Sequence, residues 1–374
     1  MKKVLFVATV VKLHINAFHI PYLKMLKEMG WETAVAAHND YDPPEACRIP
    51  YCDTFYDLPF SRSPFAKTNI KAYRKLKKII NDGGYDVVHC HTPVGGVAAR
   101  LAARQARRKG TKVFYTAHGF HFFSGAPLIN WLLYYPVERA LARLTDVIIT
   151  INREDYERAK RFGAAQVSYM RGVGCNLARF SSADASKRAL IRARLGIAED
   201  AFVMLSVGEL NRNKNHGLAI AALARMHEGK ARLVICGEGA MRPEYEALAR
   251  REGVAEQVTF AGYCENVEEY YQMADVFVFC SLREGLGMAV VEAMACGLPA
   301  VCVENRGTRD LILDGANGRL VPNDAQALSQ ALLQLEQSPQ ERMRFARQAH
   351  EDAQAFALES ALESMRAIYR KNAP

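Results

Sequence analysis

The sequence predicts an α/β fold in which parallel sheets are covered by helices, repeated in two domains of similar size. Short apolar stretches typical of buried strands alternate along the chain with stretches of helical spacing. The chain has 374 residues, 50% of them hydrophobic, which is enough for two cores. The alternation is interrupted at Arg171-Gly172-Val173-Gly174 and a polar stretch, residues 176–186, before it restarts at Phe202. We therefore expect the domain boundary at this interruption.

Each predicted strand is a run rich in Val, Ile and Phe that is followed by turn residues or by a helical pattern. In the first domain the predicted strands are residues 4–9, 33–37, 87–90, 113–116, 147–150 and 167–170. In the second they are residues 202–207, 233–236, 258–260, 276–279 and 300–303, followed by a helical tail from about Ala325. A helix is predicted over residues 17–29, after a loop, residues 10–16, that follows the first strand.

Composition limits the location of the protein. The start, Met1-Lys2-Lys3, leads into an apolar run too short for a signal peptide, and no apolar run reaches the ~18 residues that cross a bilayer. The nine cysteines are scattered and form no CxxC pair, which fits buried thiols in a reducing cytoplasm. The run His89-Cys90-His91 is not interpreted as a metal site, because alternate side chains of a strand point in different directions.

The positive charge is concentrated in the first domain. The net charge is +9, with 25 Lys and Arg against 14 Asp and Glu up to residue 170, and 24 against 26 beyond it. Within residues 67–80, four apolar residues (Ile70, Tyr73, Leu76, Ile80) recur at helical spacing opposite lysines (Lys71, Lys75, Lys78). This basic amphipathic helix indicates either attachment to an anionic membrane surface or an ordinary solvated face. Nucleic-acid binding is disfavoured, because no recognised module accompanies the basic residues.

The segment from Glu284 to Glu292 carries the strongest chemical signal. It follows a predicted strand, turns at glycines, and delivers Leu286, Gly287 and Met288 to the start of an apolar helix. The amides and the dipole at a helix N-terminus suit a diphosphate, while carboxylates can accept paired hydroxyls of a ribose or sugar. The pattern therefore predicts a sugar-nucleotide site. A lone glutamate here would be better explained by the preference of acidic residues for helix N-termini, and the rest of the pattern reverses that preference.

A second loop supplies cations to the same predicted sheet edge. The run Val207-Gly-Glu-Leu-Asn-Arg-Asn-Lys214 follows the first strand of the second domain, and ligands of open α/β sheets bind at the carboxyl ends of strands. We expect Lys214 and Arg212 to contact donor phosphates, the latter because its fork grips oxygens in pairs.

Histidines mark the corresponding edges of the first domain. His118 follows a predicted strand, where an imidazole can donate to a sugar hydroxyl or relay a proton, and His121 lies in the same loop. After the first strand, His14 and Asn16 are candidate contacts to acceptor or donor sugar, although Asn16 could instead cap the following helix. His91 lies at another strand-to-helix turn, and His91 and His121 are further candidate contacts to the acceptor or the donor sugar.

Together these segments resemble the large retaining glycosyltransferase family 4. They are the E-x7-E segment from Glu284 to Glu292, ATVVKLHINAFHIPYL, HCHTPVGG, YTAHGFHF, VGELNRNKNH and GYCENVEEYYQMADVFV, in family order. The resemblance covers nearly the whole chain, and bacterial exopolysaccharide and capsule transferases are most similar. It implies the GT-B fold, with two Rossmann-like domains whose parallel sheets face across a cleft. Residues 1–172 would bind the acceptor, residues 173–355 the donor, and the last helix, about 356–374, would pack back on the first domain.

The resemblance also implies the chemistry. It predicts transfer with retention from a nucleotide sugar, favouring UDP and an N-acetylhexosamine, to a polyprenyl-diphosphate-linked saccharide at the cytoplasmic membrane face. His118 and Glu284 would orient the donor sugar as the catalytic pair, Glu292 would hold the ribose, and no metal or other cofactor is expected. The family's usual arginine directly after the glycine is replaced by Glu209, so Arg212 is the candidate substitute.

Two rival functions stay open at this point. A GT-B sugar-nucleotide epimerase would share the architecture, and a non-catalytic sugar-nucleotide-binding partner subunit would share the binding residues. An NAD-dependent dehydrogenase is disfavoured, because no GxGxxG follows the first strand.

Overall fold

The computed structural model describes residues 1–226 and 230–374. The chain divides into two compact units. The N-terminal unit comprises Met1–Val173 and Glu359–Pro374, and the C-terminal unit comprises Gly174–Leu358. Each unit is a parallel sheet covered by helices, as the alternating pattern predicts.

The N-terminal unit contains a parallel sheet in the order β3-β2-β1-β4-β5-β6-β7. Its strands are β1 Lys3–Val10, β2 Glu32–His38, β3 Thr54–Asp57, β4 Val87–His91, β5 Lys112–Ala117, β6 Val147–Thr150 and β7 Gln166–Tyr169. Strand β3 was not predicted. It is a four-residue edge strand without fully buried residues, so its alternation is too short to stand out from a loop.

Helices cover both faces of this sheet. They are α1 Ile20–Glu28, α2 Thr68–Gly83, α3 Pro93–Ala102, α4 Arg104–Arg107, α5 Leu128–Ala142 and α6 Arg153–Ala159, with a 3-10 turn at Pro44–Ala46. The helix predicted over residues 17–29 was wrong in its first part. The chain instead forms a π-helix, Val11–His19, which continues into α1. Asn16 therefore lies inside a helix rather than at its cap.

The predicted face of α2 was also partly wrong. The residues that pack into the core are Ala72, Leu76 and Ile80, spaced four apart, whereas Ile70 is 58% exposed. The lysines Lys71 and Lys75 are exposed as expected. Helical periodicity alone could not show whether Ile70 or Ala72 faces the core, because an apolar residue at either position fits the spacing.

The C-terminal unit contains a second parallel sheet in the order β10-β9-β8-β11-β12-β13. Its strands are β8 Phe202–Val207, β9 Ala231–Cys236, β10 Val258–Gly262, β11 Val276–Phe279, β12 Ala300–Val303 and β13 Gly318–Val321. Its helices are α7 Ala185–Arg194, α8 His216–Leu223, α9 Arg242–Arg251, α10 Val267–Met273, α11 Met288–Ala295, α12 Arg306–Arg309, α13 Ala325–Gln337 and α14 Pro339–Ala353, with 3-10 turns at Ala255–Gln257 and Gln354–Phe356. Strand β13, another short edge strand, was not predicted.

The last helix, α15 Leu358–Asn372, packs on the N-terminal unit. Its residues Met365 and Tyr369 are buried in the same cluster as Phe6 and Trp31. Tyr369 also forms a 2.8 Å hydrogen bond between its hydroxyl and Nδ1 of His89. Burying large apolar side chains stabilises a fold by roughly 1.5–3 kcal/mol each, so this helix contributes substantially to the unit.

Among the described residues, no helix is both long enough and apolar enough to cross a bilayer. All nine cysteines are free thiols.

Candidate active site

Lys214 and Glu284 form an ion pair in the C-terminal unit. The ammonium nitrogen Nζ of Lys214 lies 2.7 Å from Oε1 of Glu284, and both side chains are largely buried. Lys214 also lies 5.3 Å from the ring centroid of Phe279, and its backbone amide donates to Oδ1 of Asn211. The pair places a positive and a negative group together beyond the carboxyl ends of β8 and β11.

The second predicted element, the start of α11, lies next in the chain. Gly287 is the residue before the helix and has φ of 94°, a left-handed conformation that favours glycine. A Cβ there would come 3.2 Å from the Phe279 ring. Leu286 is buried, while Met288 begins the helix. The first amides of any helix lack partners within it, so this terminus is suited to an anion.

Glu292 lies one turn into α11 and is held by Tyr271, whose hydroxyl donates to Oε2 at 2.9 Å. Burial raises the pKa of the Glu292 carboxyl to about 7, although the Tyr271 hydrogen bond and the positive charges of Arg179 and Lys214 oppose that rise. A carboxyl in this state can switch between accepting and donating hydrogen bonds near neutral pH. Tyr271 was not identified from the sequence, because it lies 21 residues away on α10.

Close backbone packing fixes the Lys214 loop. A Cβ on Gly237 would come 2.0 Å from the carbonyl oxygen of Gly208, and a Cβ on Gly239 would come 2.4 Å from that of Leu210. The amide of Leu210 donates to the carbonyl of Glu238 at 2.8 Å. The lone GxG at residues 237–239, which is a weak nucleotide-binding signal in the sequence, therefore has a packing explanation.

The Glu284 loop is supported from α12. Nε of Arg306, a buried residue, donates to the carbonyl oxygen of Glu284 at 3.0 Å. A Cβ on Gly307 would come 2.9 Å from Cβ of Glu284, so only glycine permits this approach. Asn305 caps α12 through a capping box with Thr308. In the sequence, the segment 304–310 is equally consistent with an anion contact and with a helix cap; the structure shows the cap.

Glu209 stands where the family has an arginine, and the expectation that Arg212 takes over its phosphate contact stays a prediction. Both Glu209 and Arg212 are exposed, at the loop that precedes Lys214. Among the described residues, no contact joins Arg212 to the Lys214–Glu284 pair, and its role as a phosphate ligand stays a prediction.

In the N-terminal unit, the predicted residues His14, His91 and His118 come together with His19. Nε2 of His14 lies 3.2 Å from Nε2 of His19, and Nε2 of His118 lies 3.4 Å from Nδ1 of His91. The ring centroids of His19 and His91 are 3.9 Å apart. His19 was not predicted as a site residue. We call these four residues the histidine cluster.

Burial keeps the histidine cluster uncharged near neutral pH. Loss of water contact lowers the pKa of His118 to about 4, and it lowers the pKa values of His14, His19 and His91 well below 6.5, helped by the neighbouring imidazoles. Neutral rings can both donate and accept hydrogen bonds, which suits contact with sugar hydroxyls.

Two other predicted residues lie outside the histidine cluster. The amide nitrogen of Asn16 donates to the hydroxyl of Tyr41 and to the carbonyl of Arg48, so this side chain ties the π-helix to the following loop. The ring of His121 stacks on Tyr134, with centroids 4.7 Å apart. Both were candidate sugar contacts in the sequence, and the structure does not bring them to His118.

The N-terminal unit also contains an apolar cavity of about 830 Å³ between α2, α3 and α5. Its lining combines apolar side chains, among them Phe65, Ile70 and Leu133, with His14 and Arg62. Helix α5 presents an exposed apolar face beside it, formed by Leu128 (81% exposed), Ile129 (56%), Leu132 (72%), Leu133 (48%) and Val137 (42%). Exposed apolar surfaces of this kind mark sites of protein or membrane contact. The sequence analysis did not identify this face, because helical periodicity does not show whether an apolar face is covered by another element.

A buried ion pair lies under this cavity. Nη1 of Arg100, which is fully buried, lies 2.8 Å from Oε2 of Glu138. The guanidinium also stacks over the Tyr115 ring, 4.0 Å from its centroid, and Nε donates to the carbonyl of Gly96. The cavity wall is therefore held by a polar network between α3, α5 and β5.

Comparison with known proteins decides the family. The chain is 46% identical over 98% of its length, and 96% of the relative's, to the "Putative glycosyltransferase EpsD" of Bacillus subtilis (strain 168). The chain is a family 4 glycosyltransferase. Residues 22–169 of the transferase match the description Glycosyltransferase Family 4, and residues 187–352 match Glycosyl transferases group 1. The transferase is also 30% identical, over 77% of its length and 72% of the relative's, to the D-inositol 3-phosphate glycosyltransferase of Xylanimonas cellulosilytica.

Solved structures show the same fold. Anabaena Alr3699/HepE in complex with UDP and glucose matches 99% of the transferase and 100% of its own chain, with a TM-score of 0.81 at 20% identity. WaaG, a glycosyltransferase involved in lipopolysaccharide biosynthesis, matches 98% and 99%, with a TM-score of 0.76 at 18% identity. The predicted GT-B fold and glycosyltransferase activity are thus confirmed, and the epimerase and non-catalytic alternatives are not favoured.

Proposed function

We propose that this transferase moves a sugar from a UDP-sugar to a polyprenyl-diphosphate-linked saccharide, with retention of configuration, during exopolysaccharide assembly. The observation that carries the donor half is the Lys214–Glu284 pair at 2.7 Å, next to the start of α11. It joins a phosphate-seeking cation, a hydroxyl-accepting carboxylate and helix amides at one sheet edge.

Each donor residue has a distinct role in this proposal. Lys214, Arg212 and the amides at 286–288 stabilise the negative charge that develops on the departing nucleoside diphosphate. Glu292 accepts the ribose hydroxyls, positioned by Tyr271. Glu284 and His118 orient the donor sugar. The leaving phosphate takes the proton of the acceptor hydroxyl, so the scheme assigns no side chain as general base, and cationic groups supply the charge stabilisation that a metal provides elsewhere.

UDP is the first nucleotide to test. The solved structure of HepE, which shares the fold, contains UDP and glucose. N-acetylhexosamines are the first sugars to test, because the resemblance to exopolysaccharide and capsule transferases led us to expect them.

The cavity supports a lipid-linked acceptor. A polyprenyl diphosphate combines a long hydrocarbon chain with an anionic head, and the cavity lining combines apolar side chains with Arg62 and His14. The exposed leucines of α5 and the exposed lysines of α2 flank it. An apolar face next to a basic one is the composition of an interfacial membrane-binding surface. We therefore place the enzyme at the cytoplasmic face of the membrane as a peripheral protein.

The donor assignment is tested with a panel of nucleotide sugars and lipid-linked acceptors, with the product linkage determined by NMR. We expect α-linked donors to give α-linked products, because the reaction retains configuration. Lys214→Ala should reduce turnover by at least about 100-fold, as expected for loss of one group that stabilises transition-state charge. Arg225→Ala, an exposed cation on the same unit, is the matched control. Full turnover by a folded Lys214→Ala variant refutes the donor site.

Membrane attachment is tested by flotation with anionic vesicles at low and high salt. Wild-type protein should float at low salt, and the Leu132→Ser/Leu133→Ser double variant should remain largely in solution. Met343→Ser, which replaces a 57%-exposed apolar residue in the C-terminal unit, should float like wild type. Protein that stays in solution at low salt refutes the membrane assignment and leaves the donor site untouched.

A further inference from the structure

The four side chains of the histidine cluster converge around one point, although they come from separate segments. We propose that His14, His19, His91 and His118 bind a divalent first-row transition-metal ion of the Zn²⁺ type. One potential ligand atom from each residue lies within 4.8 Å of one from every other. The glycosyl-transfer scheme requires no metal ion, and His118 is the one residue of this site that also orients the donor sugar in that scheme.

The separations fit tetrahedral coordination. Zinc binds imidazole nitrogen at roughly 2.0–2.1 Å, which makes the distance between two ligand nitrogens of a tetrahedral site about 3.3 Å. The His14–His19 and His91–His118 nitrogen pairs are 3.2 and 3.4 Å apart. The other distances between ligand atoms are at most 4.8 Å, about 1.5 Å more than the tetrahedral value. Rotation of the imidazole rings toward the ion can close this difference.

The hydrogen bonding of the cluster is incomplete in the protein alone. His89, the neighbouring ring on β4, has a partner on each nitrogen, namely Tyr369 and Thr116. In contrast, Nε2 of His91 is buried without a hydrogen-bond partner. Buried polar atoms normally have partners, so the ring of His91 is only half satisfied. The unpaired nitrogen is not the one that faces His118, and the assignment of the metal site therefore rests on the convergence of the four rings. A set of imidazoles alone favours Zn²⁺, Cu²⁺ or Ni²⁺ over Mg²⁺ or Ca²⁺, which prefer oxygen.

The fold holds these ligands on rigid elements. In an α-helix residues five apart point about 140° away from each other, whereas the wider turn of the π-helix brings His14 and His19 toward one side. His91 ends β4, and His118 follows β5, the adjacent parallel strand. His19 and His91 are 2% and 1% exposed, while His14 and His118 are partly exposed. The site is thus anchored at its base and open at its rim, so an ion can enter.

Metal binding has a consequence that rests on the proposed function. A metal that takes the ring nitrogen of His118 prevents this residue from contacting the donor sugar. Zinc should therefore inhibit transfer, and a chelator should restore it. The binding site itself does not depend on this consequence.

The direct test is titration of untagged full-length protein with Co²⁺, a spectroscopic probe for zinc sites, followed by its displacement with Zn²⁺. We expect one ion per chain and the intense visible absorption of tetrahedral cobalt. His14→Gln and His91→Gln should each weaken binding at least about tenfold, since even indirect supporting residues contribute tenfold or more. His38→Gln, which replaces a half-exposed histidine that lies outside the cluster, should bind like wild type.

Circular dichroism and thermal unfolding establish that each variant is folded. His14→Gln is the safer variant, because His14 is only partly buried. Absence of binding by wild type, or equal binding by wild type and folded His14→Gln, overturns the proposal and leaves a neutral hydrogen-bonded histidine chain. Loss of binding in the cluster variants with binding retained in His38→Gln supports it. Neither result depends on transfer activity, so the metal site and the proposed reaction can fail separately.

Discussion

Replacing Glu292 with glutamine should stabilise the C-terminal unit at alkaline pH and abolish donor turnover. The carboxyl is buried beside Tyr271, and its pKa rises from 4.5 to about 7. Such a rise corresponds to about 3.4 kcal/mol, at 1.36 kcal/mol per pKa unit. The folded state therefore binds the Glu292 proton more tightly than the unfolded state does. Stability from this group is present at low pH and is lost as pH rises from about 4.5 through 7.

Glutamine has nearly the same shape and no charge, so Glu292→Gln removes this pH-dependent loss. The difference in unfolding free energy between the variant and wild type should grow by about 2.5 kcal/mol between pH 5 and pH 8, with the variant the more stable at pH 8. If the unfolding free energy falls by about 2 kcal/mol per molar urea, the urea midpoints of variant and wild type move apart by about 1.3 M between pH 5 and pH 8.

Urea unfolding followed by far-UV circular dichroism at several pH values measures the difference. Tryptophan fluorescence is unsuitable, because both tryptophans, Trp31 and Trp131, lie in the N-terminal unit. Glu209→Gln, at an exposed position in the same unit, should follow wild type across the range. A Glu292→Gln difference that stays constant from pH 5 to pH 8 refutes the reasoning on stability. Undiminished turnover by that variant would separately reject the ribose contact.

Two further predictions concern residues that support the site. Gly239→Ala places a Cβ 2.4 Å from the carbonyl oxygen of Leu210 and should cost about 3 kcal/mol of stability and weaken donor binding, measured by urea unfolding and calorimetry. Gly253→Ala also has positive φ but open space around its Cβ, so it should cost only about 1 kcal/mol; equal losses would contradict the packing argument. Glu138→Ala leaves the buried Arg100 without its carboxylate and should cost about 3–5 kcal/mol in unfolding experiments. A loss of stability below about 1 kcal/mol would show that water in the cavity solvates the guanidinium of Arg100 in place of the carboxylate.

Part of the site could be predicted from the sequence, because its residues lie shortly after the ends of predicted strands. The strand that precedes each loop is visible as an apolar run, and Lys214 and Glu284 follow β8 and β11 directly. Parallel neighbours end at the same sheet edge, so their proximity follows from topology. The 2.7 Å contact between the two side chains was not predictable, because it depends on backbone packing between loops such as Gly208 against Gly237.

Other features of the structure could not be predicted from local sequence patterns. The exposed face of α5 looks like a core helix in the sequence, since periodicity does not state which neighbour covers an apolar residue. The edge strands β3 and β13 are too short for their alternation to be recognised. The π-helix at Val11–His19 changes which residues share a face, whereas sequence patterns assume the α-helical period.

By itself, the sequence determined the alternation of strands and helices, because apolar periodicity is a local property of the chain, and its motifs carried the resemblance that implied the GT-B fold and the family. Only the tertiary structure brought His14, His19, His91 and His118 together, since their meeting requires a π-helix and two adjacent parallel strands in register. Only the tertiary structure also separated buried from exposed apolar residues on α2 and α5. The physical reason is the same in both cases: contacts between distant segments are set by packing, which a one-dimensional pattern does not contain.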